Sequence, residues 1–231
     1  MTVPDLFTTL LWLSVTILAF AGMDRLSQKL GRHPLAHPVL WSVPVIIAAL
    51  WVTGTAYDIY VASTAMISFL LGPAVVSMAV PIWEQRKAIR KLAGPLALAV
   101  LAGAMTAIVS AVGIVWMFGA PLDIMASIAP RSTTTPVGMA VATTLGGIPA
   151  LAAIIIIFSG VLGAMVATPI LNLMRVWDYR VRGFAVGVAA HGVGSARAFQ
   201  VSETAGAYAG LGMALNAVVT ATLLSIVAAL I

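Results

Sequence analysis

Two short strings hold most of the residues able to do chemistry in an otherwise apolar chain. The first is Arg131-Ser132-Thr133-Thr134-Thr135-Pro136. Proline suits the first turn of a helix, because the donor it lacks would have no partner inside the helix there. Thr135 is then the expected N-cap, and a half-helix should run on from Pro136. The free N–H groups and dipole at such an end favour an anion. The hydroxyls of Ser132, Thr133, Thr134 and Thr135 are further partners, and Arg131 can offer a carboxylate two parallel donors. The plainer alternative is an ordinary cap, with Arg131 reaching out to lipid headgroups.

The second string is His191-Gly192-Val193-Gly194-Ser195-Ala196-Arg197. Gly192 and Gly194 permit a sharp turn or a close approach. Ser195 is placed to cap a second half-helix that carries Arg197 on its first turn. A cation is disfavoured at that end, so Arg197 calls for an anion, either a bound ligand or Glu203. His191, with an ordinary pKa of about 6.5, is a candidate for coupling proton movement to transport. It serves equally well as a neutral hydrogen-bonding residue that holds the turn. Asn216 and Thr220 lie four apart and share a helix face, and an amide near mid-bilayer needs a partner inside the protein. Together these residues make a candidate binding site for a small anion.

Other chemistries are poorly served. There is no H-E-x-x-H, G-x-S-x-G or P-loop string, and Ser195 has no close acidic partner to complete a nucleophile with His191. An enzyme is not expected. Cysteine is absent, and His33, His37 and His191 are too scattered for a structural zinc site, so neither metal nor cofactor is expected.

The elements that must position these strings are set by composition. Of 231 residues 61% are hydrophobic and 8% charged, and mean hydropathy is +1.09. A soluble domain carries about 25% charged residues, so the chain reads as an all-α integral membrane protein in one transmembrane domain, residues 1–231. The formal charge of +5 comes from basic clusters between apolar runs. That pattern fits helix orientation and anionic lipid headgroups rather than nucleic acid.

Six apolar runs approach the roughly 20 residues a span needs: Pro4 to Gly22, Pro38 to Thr55, Val61 to Trp83, Ala93 to Phe118, Ile148 to Leu173 and Thr204 to Ile231. The first lacks a basic flank before it and a small-residue cleavage site after it, so it reads as a retained span rather than a signal peptide. Basic clusters at 25–32, 86–91 and 175–182 should face the cytoplasm. Alternation then puts both termini outside, in the periplasm if the host is a bacterium.

Two segments are left over: 131–146 must begin and end outside, and 183–202 inside. Both read as re-entrant or broken half-helices, tolerated only where protein or water surrounds them; interfacial loops or true spans are the alternatives. Aligned so that Ser132–Thr135 falls on His191–Gly194, each broken segment precedes a long helix. This is a faint inverted repeat of the kind that marks a transporter's binding site.

At these strings the chain resembles the LrgB/CidB family of bacterial inner-membrane proteins. The resemblance is carried by R-S-x-T-T-P-x-x-M at Arg131–Met139, by Gly146–Gly147 and by H-G-x-G-x-x-R-A at His191–Ala198, and size and span pattern extend it over the whole chain. It implies one of two functions. One is transport of small monocarboxylates such as glycolate, glycerate, pyruvate or similar three-carbon acids. The other is a holin/antiholin-like role, modulating murein hydrolase activity and cell lysis. The resemblance extends to a plastid relative that fuses an LrgA-like half to an LrgB-like half and looks like a glycolate/glycerate translocator. It implies a separate small LrgA-like membrane partner here, beside possible homo-oligomers.

Overall fold

The computed structural model describes residues 4–31, 36, 38–77, 79–84 and 86–230. Arg32 of the first basic cluster, His33 and His37 lie outside the described residues. The chain divides into two compact units, Met1–Ser77 and Met78–Ile231.

The first unit holds α1 (Leu6–Lys29), α2 (Pro38–Thr53), α3 (Tyr57–Ser63) and α4 (Ala65–Ser77). Asp5 caps α1 by accepting from the Thr8 N–H at 2.8 Å. The helix continues past the expected end at Gly22, because Arg25 and Lys29 are good helix formers and Gln28 donates to Asp24 one turn back at 2.7 Å. Trp12 is its anchor, buried and edge-on to Tyr60 with ring centroids 5.6 Å apart.

The expected third span does not form as one helix. α3 stops at Ser63, where the hydroxyls of Ser63 and Thr64 donate back to the carbonyls of Ile59 and Tyr60, a pattern that bends helices. Pro73 sits inside α4, and α3 is bent by 119° from α2.

The second unit holds α5 (Ala79–Glu84), α6 (Arg86–Lys91), α7 (Ala93–Met117), α8 (Leu122–Ile128), α9 (Thr135–Thr144), α10 (Pro149–Leu173), α11 (Tyr179–Val201) and α12 (Glu203–Leu230). At 1.5 Å per residue, α7 and α10 are each about 37 Å long, enough to cross a hydrocarbon core of about 30 Å. Among the described residues α1, α7, α10 and α12 are long and apolar enough to span, with α2 and α3 as a fifth if the bent pair counts as one. The protein is therefore an all-α, multi-pass membrane protein, with four to five helices apolar enough to span among the described residues where six apolar runs are counted along the sequence. Large apolar side chains such as Leu98, Val109, Phe158 and Val218 stay exposed, as lipid-facing surfaces require.

Helices α10 and α12 run in opposite directions. The C-terminal turns of α10, through Thr168 and Leu171, share a cavity with Ala205 at the start of α12. The other end of α12, through Leu224, clusters with Ala129 and Val141 near the start of α10. Around this pair the two leftover segments are arranged.

Candidate functional site

The first leftover segment, 131–146, forms the tip and the second arm, α9, of a hairpin whose first arm is α8. The base of the hairpin is closed by Ser127, which accepts from the Ile148 N–H at 2.7 Å and donates to the Asp123 carbonyl at 2.6 Å. Glycine is needed at the exit: a β-carbon on Gly147 would sit 2.8 Å from the Ser127 nitrogen. The chain thus leaves and rejoins the N-terminal end of α10 at one place. At the tip the Thr133 hydroxyl donates to the Pro130 carbonyl at 2.8 Å, and Ser159 of α10 donates to the Arg131 carbonyl at 3.0 Å. The N-cap of α9 is Thr134 rather than Thr135, and no side chain caps it. Pro136, at the second helical position, leaves the first turn no donor to lose there.

The second leftover segment lies within α11, which is two arms meeting at Ala190 (φ −125°, ψ 16°) and His191 (φ 38°, ψ −132°). The arms fold back on each other: a β-carbon on Gly194 would lie 2.9 Å from the Val186 carbonyl oxygen. Arg197 and Val201 accordingly return beside Tyr179 and Arg182, at the C-terminal end of α10. This hairpin is based at the opposite end of α10 from the first. The break falls earlier than the expected cap. Ser195 caps nothing, because its hydroxyl donates to the His191 carbonyl at 2.8 Å within the second arm.

The two tips meet at mid-height of α10 and α12. Asn216 Nδ2 donates to the Ser132 carbonyl (2.8 Å) and hydroxyl (3.3 Å) of one tip and to the Val188 carbonyl (3.2 Å) of the other; its Oδ1 accepts from Thr220 at 3.3 Å. His191 is buried, with Nε2 2.8 Å from the Ile156 carbonyl. That nitrogen must carry the proton, since a carbonyl only accepts. Gly160 is the floor beneath its ring, because any β-carbon there would enter the imidazole.

The candidate residues therefore divide into three groups. Arg131 and Ser132 line a groove of about 720 Å³ between α7 and the first arm of α11. Arg197 is elsewhere, in a separate cavity of about 260 Å³, donating to Gln200 Oε1 at 3.3 Å. His191, Ser195, Thr133 and Asn216 are buried and spend their polar atoms on the protein itself. Thr134 and Thr135 are half-buried beside the tip, and Gly192 approaches Met213.

Arg131 stands out. It is half-buried, and among the described residues no carboxylate or other side chain pairs with its guanidinium. Groove residues that the sequence reading passed over include the small face of α7, with Ala99, Gly103, Thr106 and Ser110 at helical spacing, and Asp178, Arg180 and Tyr208. The α7 spacing was a readable signal; the others were not. Among the described residues no three His, Cys, Asp or Glu side chains gather to hold a metal.

Comparison with known proteins adds a family. The model of the LrgB-like family matches residues 16–230. Bacillus subtilis YxaC is 32% identical over 88% of each chain. YwbG of the same organism is 28% identical over 93% of this chain and 95% of its own. A Staphylococcus aureus protein named holin-like protein CidB is 28% identical over 96% of each. No solved structure matches.

Proposed function

The chain belongs to the LrgB-like family, and from that premise we propose that it is a carrier, or the substrate-binding subunit of a carrier, for small monocarboxylates. Glycolate, glycerate, pyruvate and similar three-carbon acids are the substrate class, and a small LrgA-like membrane protein is the expected partner. One observation carries this reading: an unpaired, half-buried Arg131 at the inner end of a groove, where two hairpin tips meet. A cation held inside a membrane protein costs several kcal/mol unless an anion meets it. A passive scaffold has no use for it.

The arrangement also supports an inverted pair of hairpin-plus-helix repeats in the bacterial inner membrane, one hairpin re-entering from each side. The α9 terminus and the second arm of α11 then aim their N-terminal dipoles at the middle. In this reading the α11 hairpin enters from the cytoplasm, where the Arg175–Arg182 cluster belongs, and both chain termini are periplasmic.

A second reading has its own support. The relative named holin-like protein CidB aligns over 96% of both chains, which favours a lysis-modulating membrane protein acting through oligomers and leak, and the comparisons lean that way. Proteoliposomes separate the two. Labelled glycolate or pyruvate should enter saturably, with the partner present, and uptake should fall at least tenfold in Arg131→Ala. Arg197→Ala, outside the groove, should leave KM within about twofold. Non-selective leakage of a neutral dye, or uptake unchanged in Arg131→Ala, would favour the holin-like reading instead.

A further inference from the structure

Tyr208 is the one buried side chain among the described residues whose polar atom finds no hydrogen-bond partner. Its residue is 1% exposed, yet it lines the same groove as Arg131. The ring packs with Val100, Phe184 and Val188, a setting that phenylalanine would fill equally well. An unsatisfied buried hydroxyl is a net cost, so its presence points to a partner that occupies the groove.

The position of Tyr208 says where on the path that partner sits. Tyr208 precedes Asn216 by eight residues on α12, about 12 Å along the axis, towards the groove end formed by Asp178 and Arg180. Tyr208 and Arg180 line the same groove. Arg180 engages Asp178 through Nε and Nη2, which leaves its Nη1 edge for another acceptor.

We propose that the groove holds an outer carboxylate subsite in which Tyr208 donates its hydroxyl to the anion beside Arg180, ahead of the inner site at Arg131. This rests on the carrier reading and adds a second contact on the same path. The test is Tyr208→Phe in the full chain, with glycolate and pyruvate as probes. The KM for uptake should rise about tenfold, the worth of one hydrogen bond to a charged group. The Tm without ligand should hold or increase, because the variant removes an unsatisfied group. An unchanged KM, or a lower Tm with unchanged KM, overturns the subsite and assigns the hydroxyl to structure. Calorimetry on the same proteins in nanodiscs keeps the two ideas apart. Binding lost in Arg131→Ala but equal in Tyr208→Phe ends this inference alone. No binding and no saturable uptake by the wild type ends both. Binding weakened about tenfold in Tyr208→Phe without uptake leaves the subsite and removes the carrier.

Discussion

His191 holds a left-handed backbone (φ 38°) that its β-carbon resists, and its ring is fixed by Nε2 on the Ile156 carbonyl. The residue is better placed to lock the α11 hairpin onto α10 than to carry a mobile proton. Gly160→Ala tests the lock, because the new methyl meets the imidazole. A destabilisation of about 1–3 kcal/mol is expected, the usual cost of overpacking, read as a lower Tm with impaired uptake. Asp178 is a second case at this scale. The Arg180 side chain, and then its main-chain N–H, donate to Asp178 and hold its carboxyl below the usual range. A depressed folded pKa stabilises above the unfolded value of about 4 and is lost as pH falls through the folded value. The wild-type Tm should therefore drop more than that of Asp178→Asn between about pH 5 and pH 3. His191, Arg131 and Asn216 were all legible as special residues. Which of them faced a groove was not, since that depends on side chains from distant helices.

The first arm of α11 and the start of α12 run side by side in parallel, nearly backbone to backbone. A β-carbon on Gly183 would enter the carbonyl of Ala205, and one on Gly187 that of Ala209. Gly187→Ala must push the helices apart, with an expected loss of about 1–3 kcal/mol. Gly94→Ala, on α7 with open space around it, should stay within about 1 kcal/mol; thermal unfolding in detergent compares the two. Small residues four apart on a helix let a neighbouring helix approach closely, and Gly183 and Gly187 have that spacing. The signal was hidden because the segment reads as a broken loop. The third span failed for a related reason. Apolarity counted its residues correctly, but hydroxyl back-bonding at Ser63 and Thr64 broke the helix.

Across the second unit, the two hairpins are based at opposite ends of α10 and meet between α10 and α12. If the hairpins re-enter from opposite faces, a cysteine in 122–128 should react with an impermeant maleimide only from the periplasm. One in 179–183 should react only from the cytoplasm, and labelling should fade towards Ser132 and His191. The chain has no cysteine of its own, so single substitutions suffice. Reaction of 122–128 and 179–183 from the same face would contradict the inverted arrangement.

The apolar bulk, the sparse charge and the two polar strings around Arg131 and His191 were determined by the sequence alone, because partitioning into lipid and helix breaking are local properties of residue type and order. That the strings form hairpins meeting on Asn216, that Arg131 opens onto a groove while Arg197 turns away, and that Tyr208 is left with an unpaired hydroxyl were decided by tertiary structure. Each depends on contacts between residues some 28 to 84 positions apart, and no period or motif along the chain records such a distance.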